Sequence, residues 1–489
     1  MTSGCSLNNH ERETCDTNAD CHSAFGIGHM CGDAGFCEQV TLNPRCTHTY
    51  PENLLSDPDL LEDRIVIGTV FEANVPRHLA RERAVEVALS LTSEEGGVNG
   101  TVFGAIFCST EDNFVPPGGS GDGLTRTAAT IALARHLIDA YGVPALVGPS
   151  LSSDVTALFT ALDLGDGAGQ DNVLLMSPSS TAVSVTALEP DATDLRPGLL
   201  WRTSPPDFEA PIAIGEDLVA RTVNDIAIVN RTGPYGDGFA DGVIGGFGQI
   251  PGNSFRRFTF SDDSSRLTAV EMAGAAAADY DDLLFFAGEE GDTEFMISRA
   301  VDDPRFDGKT LLFADVAAVE AQLEGANADV LSRIRGVRPK PPSESDPVYS
   351  AYLAAFANRF PQPGDADARI PFAANTFDGA WMIAGGIAWA IFQEGGAVNG
   401  TTIARGLRKM SSGSATTTPL LRSGWSQLTN AFNRGDAINI QGASGLLDYD
   451  PVTEEREAVV EMWLSCRDVA NANMLVIEPV LDLDACVVP

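Results

Sequence analysis

The chain has 489 residues, 44% of them hydrophobic, and its 31 basic against 68 acidic side chains give a formal net charge of −37. That length holds two or three domains and a core that needs no covalent staples. The charge argues against nucleic acid and anionic membrane surfaces as partners, since both are polyanions. Positive charge is carried almost wholly by arginine, because the only lysines are Lys309, Lys340 and Lys409.

Residues 1–50 hold six of the nine cysteines, Cys5, Cys15, Cys21, Cys31, Cys37 and Cys46. A short cysteine-dense head on a large chain predicts disulfides and an oxidising compartment. His22, His29 and His48 admit zinc as a rival, but no C-x-x-C pair is present, and zinc sites usually use one. Thr2-Ser3-Gly4-Cys5 resembles the end of a bacterial lipoprotein signal. Lipidation of Cys5 and a chance likeness both stay open. Residues 51–63 read as a polar linker.

Regular structure begins at Arg64–Phe71, an apolar run rich in β-branched residues that predicts a buried strand. A helix follows over His78–Leu91, stopped by Gly96-Gly97, and then a strand over Thr101–Cys108. Helices at Thr125–Tyr141 and Ser153–Leu162 alternate with strands at Ala145–Val147 and Val173–Met176. The rhythm continues with a helix at Phe208–Arg221, a strand at Asp225–Asn230 and a helix from Gly238. Leu283–Phe286 and Leu311–Phe313 are further short strands, and Ala380–Phe392 is too short to span a bilayer and reads as a buried helix. Such alternation means parallel sheets covered by helices, with ligands bound beyond the carboxyl ends of the strands.

Enzyme signatures fail one by one. Gly308-Lys309-Thr310 lacks the first glycine of a phosphate loop and runs into a strand, not a helix. Gly442-Ala443-Ser444-Gly445 is followed by Leu446, so it is not a nucleophile elbow. No histidine belongs to an H-E-x-x-H motif. No catalytic residue, cofactor motif or metal site is assembled from this sequence. What remains are two turns rich in small hydroxyl residues, Gly148–Ser153 and Met176–Thr181, each following a strand. Hydroxyls and backbone N–H groups at a helix start cap the helix, and two such turns on successive strands also suit a carboxylate.

The ordered pattern resembles the periplasmic solute-binding proteins of the leucine/isoleucine/valine type. It comprises Ile65–Gly68, Ala84–Ala88, Gly96–Gly100, Leu137–Val143 and Gly148-Pro149, then Ser177-Pro178-Ser179 and Trp201-Arg202-Thr203. Pro234-Tyr235-Gly236-Asp237-Gly238, Phe377–Ala380 and Gly445–Asp450 complete it. The resemblance covers residues 64–465 and implies the α/β type I periplasmic-binding fold, two Rossmann-like lobes with parallel sheets joined by three hinge crossings. The crossings are expected near Arg202-Thr203, Arg338–Pro342 and Leu447-Asp448. Lobe 1 would then comprise 64–202 and 339–446, and lobe 2 203–338 and 447–489. The head lies outside the family pattern.

By the same resemblance, Ser152, Ser153, Ser179 and Thr181 would hold a ligand's charged groups, Tyr235 would close over it, and Phe71 would form a wall. Asp315 and Glu289 follow second-lobe strands and could pair with an ammonium. The acidic run Gly288–Asp292 departs from the aromatic common in amino-acid binders and also suits a cationic ligand such as a polyamine. Cys108 ends the second strand and Cys46 lies just before the connector to the first, its expected neighbour, so Cys46 could reach Cys108 and pin the head to lobe 1, while Cys466 and Cys486 would pair across a loop of about 20 residues. The remaining head cysteines then form two bridges and leave Cys5 for an anchor. The implied function is a periplasmic or cell-surface receptor for a small polar ligand, an amino acid or a relative, without cofactor or catalysis. Its partner would be an ABC permease or a membrane sensor, with membrane contact only through Cys5. A surface sensor or protein-interaction module using the head is the alternative.

Overall fold

The computed structural model describes residues 13–57, 60–61, 64–165, 172–189, 192–362, 365–411, 417–457, 459–468, 475–479 and 486–487. Cys5 lies outside them. The head is a helix, α1 (Asn18–Phe25), and a two-stranded antiparallel sheet, β1 (His29–Cys31) with β2 (Cys37–Gln39). Disulfides Cys15–Cys31 and Cys21–Cys37 tie these pieces together. The sulfurs of Cys15, Cys21 and Cys31 cluster as metal ligands can, but both bridges consume the thiolates that zinc requires.

The first large sheet is ordered β3-β5-β4-β6-β7-β8. Its strands are β3 (Cys46–Tyr50), β4 (Arg64–Phe71), β5 (Val102–Ser109), β6 (Ala145–Val147), β7 (Leu174–Ser177) and β8 (Leu200–Arg202). β4 to β8 are parallel, whereas β3 runs antiparallel along the edge of β5 with Cys46 opposite Cys108. These two cysteines form a disulfide. The head thus supplies an edge strand to the first sheet. It also docks through Gly28 N–H on the Ala140 carbonyl (2.7 Å) and Asn43 N–H on His136 Nε2 (3.1 Å). The segment between head and first sheet is packed too, with Leu54 fully buried.

Val66 to Phe71 are all buried because helices cover both faces of the sheet, which is why the strand reads as a continuous apolar run. The covering helices include α2 (Pro76–Glu94), α3 (Arg126–Tyr141), α4 (Ser152–Ala161) and the short α5 (Val183–Thr186). The helix Ala373–Gln393, buried as its composition predicts, adds its whole apolar length to the first core. Gly386 lets it approach the helix Gly400–Arg408: a Cβ there would lie 2.7 Å from the Ile403 carbonyl oxygen. Asp378 of the same helix accepts the backbone N–H groups of Ala443 (2.7 Å) and Ser444 (2.8 Å). Burial pushes this carboxyl up to about 6.

The second sheet contains β9 (Asp225–Arg231), β10 (Ser254–Phe260), β11 (Asp282–Phe286), β12 (Thr310–Phe313) and β13 (Ile334–Pro339) in the order β10-β9-β11-β12-β13, all parallel. A small sheet, β14 (Thr417–Pro419), β15 (Asn439–Gly442) and β16 (Gly445–Leu446), lies beside the first core. β17 (Val460–Asp468) then returns antiparallel to β13, followed by β18 (Leu475–Pro479) and β19 (Cys486–Val487). Helices α6 (Ala210–Ala220), α7 (Pro234–Phe247), α8 (Asp263–Ala275) and α9 (Glu290–Asp302) cover this sheet. Separate apolar cores pack on its two faces.

The chain crosses between the sheets three times: after Arg202, after Pro339 and shortly before β17. At the third crossing Leu447 and Tyr449 still belong to the first core, and the Tyr449 hydroxyl donates to the Arg202 carbonyl at 3.0 Å. Glu455 is ion-paired with the buried Arg202 guanidinium. The chain therefore leaves the first lobe at about Arg456, whose Nη1 donates to the Thr203 carbonyl at 2.8 Å.

Candidate functional site

The carboxyl ends of both parallel sheets face one another across a cleft. On the first lobe, β4 ends at Phe71 and α2 opens with Pro76 at its first turn, a position that needs no N–H. Arg77 and Arg81 stand four residues apart in this helix and so share a face. Arg81 is almost fully buried. Its Nη1 donates to the Ser150 hydroxyl (2.7 Å) and the Ser179 hydroxyl (3.2 Å), and its Nη2 to the Pro371 carbonyl (3.2 Å). One guanidinium thus ties α2 to both serine turns. Ser179 returns a bond from its hydroxyl to the Ser150 carbonyl at 3.1 Å.

The first serine turn needs its glycine. Gly148 has φ +99°, and a Cβ would meet the Val70 carbonyl oxygen at 2.5 Å. Ser152 and Ser153 open α4. The Ser152 hydroxyl accepts the Ala182 N–H at 3.3 Å and so braces the neighbouring turn, while Ser153 is exposed to the cleft.

On the second lobe, α7 starts at Pro234, four residues before the expected Gly238, because Gly233 (φ +125°) caps it and Pro234 suits its first turn. Tyr235 therefore points from a helix start, and its hydroxyl donates a short hydrogen bond to Asp315 Oδ1. Asp315 is buried in the 3₁₀ turn after β12. Burial and then the neighbouring carboxylates Asp315 and Asp207 push the Tyr235 phenol well above its ordinary range.

Arginines answer the acidic turn after β11. Glu289 accepts from Arg126 Nη2 at 3.3 Å, across the cleft mouth. Buried Asp292 accepts from Arg231 Nε at 2.7 Å and from Arg266 Nη1 at 2.6 Å. A second bond crosses the mouth from Arg77 Nη2 to the Gly288 carbonyl, at 3.3 Å. Below it Glu72 lies 3.8 Å from both Arg126 Nη1 and His78 Nδ1, and burial raises its carboxyl to about 7.

These groups line one cavity of about 440 Å³, within the size range of small-ligand sites. Ser152, Ser153, Ser179, Tyr235, Glu289 and Asp315, six of the eight residues expected from the sequence, come together there. Phe71 and Thr181 are not on its lining. Phe71 is fully buried in the first core against His78. Thr181 lies behind the wall, and its carbonyl accepts the Asp207 N–H at 2.8 Å. Sequence reasoning missed Arg77, Arg81, Arg126 and Arg231. Their signal was position, since each falls at the carboxyl end of a strand or the start of the helix after it. A second cavity of about 590 Å³ adjoins the first along Asp315, Ile370, Pro371 and Phe372 and reaches the crossing segments.

No family model and no curated protein matches the sequence. Solved structures do match. A branched-chain amino acid transporter substrate-binding protein from Streptococcus pneumoniae, in complex with isoleucine, is 17% identical with a TM-score of 0.58, over 85% of this chain and 99% of that one. An ABC transporter solute-binding protein from R. palustris, in complex with 4-hydroxybenzoate, is 15% identical with a TM-score of 0.61, over 86% of this chain and 96% of that one. An ABC transporter substrate-binding protein from Desulfitobacterium hafniense, in complex with Leu, is 16% identical with a TM-score of 0.55, over 85% of this chain and all of that one. The chain therefore shares the fold of these structures, the type I periplasmic-binding architecture: two lobes joined by three crossings, with a cysteine-rich head built onto the first.

Proposed function

We propose that the protein is an extracytoplasmic solute-binding receptor that closes on a small carboxylate-bearing ligand, an amino acid or a relative, and delivers it to an ABC importer. One observation carries this reading: the cavity between the sheets is lined on the first lobe by Arg77, Arg81 and the serine turns, and on the second by Tyr235 and Asp315. Guanidinium and hydroxyl groups bind a carboxylate, and Asp315 faces them as the partner for an amine. Isoleucine and leucine in two of the structural neighbours support the amino-acid form. Disulfides Cys15–Cys31, Cys21–Cys37 and Cys46–Cys108 support an oxidising compartment. Among the described residues no helix is long and apolar enough to cross a membrane. We take residues 46–202 and 340–456 as the ligand-holding lobe and 203–339 with 460–468 as the closing lobe, following the cores and crossings.

The head pairs with the first sheet and docks on α3, which favours a cap over a separate interaction module. Pairing of Glu289 and Asp292 with arginines weighs against a polyamine. A thermal-shift screen with amino acids, small aromatic acids and polyamines tests the proposal. A compound with both carboxylate and amine, at a hundred times its Kd, should raise the melting temperature by about 3 °C. Stabilisation by polyamines alone, or by none of the compounds, would contradict it.

A further inference from the structure

Asp207 lies on the first crossing, outside every set of ligand residues read from the sequence. Its N–H is fixed on the Thr181 carbonyl at 2.8 Å. Its Oδ2 is sealed from solvent and makes no hydrogen bond of good geometry among the described residues, and the Thr181 hydroxyl is the side-chain donor that favours its charge. Asp207 and Asp315 line one small void with Pro205, Phe239, Arg338 and Val460, so residues from all three crossings meet there. Asp315 also lines the ligand cleft and holds the Tyr235 hydroxyl.

The cations near this pair are engaged elsewhere. Arg202 is held by Glu455 and by the Ser180 and Ala182 carbonyls (3.1 and 3.0 Å). Arg338 is bound to Glu461 at 2.8 Å. Arg77 and Arg81 act on Asp315 from across the cleft. Burial is the larger cause, and at Asp207 the charge of Asp315 is the next, in raising both carboxyls above their ordinary range. Two carboxylates confined in so small a space cannot both ionise cheaply.

We propose that Asp207 and Asp315 share one proton in the ligand-free protein at neutral pH, and that the cleft exchanges this proton for the ammonium group of its ligand. The inference rests on the reading of the cleft as a receptor site and deepens it: the ligand class is narrowed to carboxylates that carry a protonated amine. In the exchange the O–H bond of the acid breaks, the proton passes to the buffer, and the ammonium, held on Asp315 in the cleft, supplies the positive charge that lets both carboxylates ionise. The pair goes from one negative charge to two while the ligand's ammonium brings one positive, so the net charge at the pair is unchanged, and the ligand's carboxylate is met separately by the arginine wall. Asp207 is a positioning residue here, since it acts on the ligand through Asp315.

Calorimetric titration with the standard α-amino acids, in buffers of different ionisation enthalpy, counts the protons. Each amino acid is matched with the acid that lacks the amine. We expect one proton released per amino acid bound, and an affinity that rises with pH by up to about tenfold per unit while the free pair still holds its proton. Asp207→Asn should bind the amino acid with neither proton release nor pH slope. In a wild-type minus Asp207→Asn infrared difference spectrum at pH 7, a carboxylic-acid carbonyl band should appear. Amino-acid binding without proton release, or an unchanged slope in Asp207→Asn, overturns the exchange and leaves the receptor reading standing. Failure of every carboxylate to bind overturns both.

Discussion

Arg81 carries much of the architecture of the cleft, since its guanidinium meets hydroxyls 69 and 98 residues away in sequence. That distance is why it escaped a reading of the sequence. Pro76–Arg81 looks like the solvated start of a helix, and nothing local says that two serine turns will close over it. The serine turns themselves, Tyr235 and Asp315 were legible, because short hydroxyls and acids just after a strand stand out against an apolar background. Phe71 was misplaced for the opposite reason: an aromatic at a strand end can face cleft or core, and the packing of α2 and His78 decides for the core. Arg77 tests the carboxylate reading better than Arg81, whose loss would also loosen both turns. Arg77→Ala should raise the Kd of the best screened ligand about 10- to 150-fold, the worth of a hydrogen bond to a charged group, about 1.5–3 kcal/mol. The unliganded melting temperature should barely move. Equal affinity in wild type and variant, measured by calorimetry, would remove Arg77 from the site.

At the scale of elements, the alternation of strands and helices gave the parallel sheets, because buried strands and amphipathic helices have distinct periods. β10 was not foreseen: Ser254–Phe260 is an edge strand whose positions are exposed or half-buried as far as Thr259, and neither an apolar run nor a clean alternation marks it. β3 was hidden in the head for a similar reason, its burial coming from the edge of β5 rather than from its own sequence. The Cys46–Cys108 bridge fixes that edge. It closes a loop of 62 residues, and the chain-entropy relation gives it about 4 kcal/mol. Replacing both cysteines by alanine should lower unfolding stability by up to that amount in a urea titration, with the two head disulfides intact. A variant as stable as wild type would mean that the edge pairing holds the head unaided. Cys466 is disulfide-bonded, and the strand register sets Asp468 opposite Cys486. The side chain of Cys486 lies outside the described residues, so the Cys466–Cys486 bridge remains a proposal for non-reducing peptide mapping.

For the whole molecule, a net charge of −37 repels a free anion, so the four arginines of the cleft make it a local exception on an acidic surface. Among the described residues, Arg77 to the Gly288 carbonyl and Arg126 to Glu289 span the mouth, and both contacts are partly exposed. Contacts of this kind are individually worth about 1 kcal/mol or less, too little to hold the lobes shut. A ligand bridging the arginine wall and the Tyr235–Asp315 wall supplies the difference and shifts the population towards closure. Small-angle scattering of the full chain, with and without a saturating concentration of the compound that most raises the melting temperature, tests this most directly. The account predicts a smaller radius of gyration with ligand, and a reduced change in Tyr235→Ala at equal saturation. A radius unchanged at saturation would contradict it.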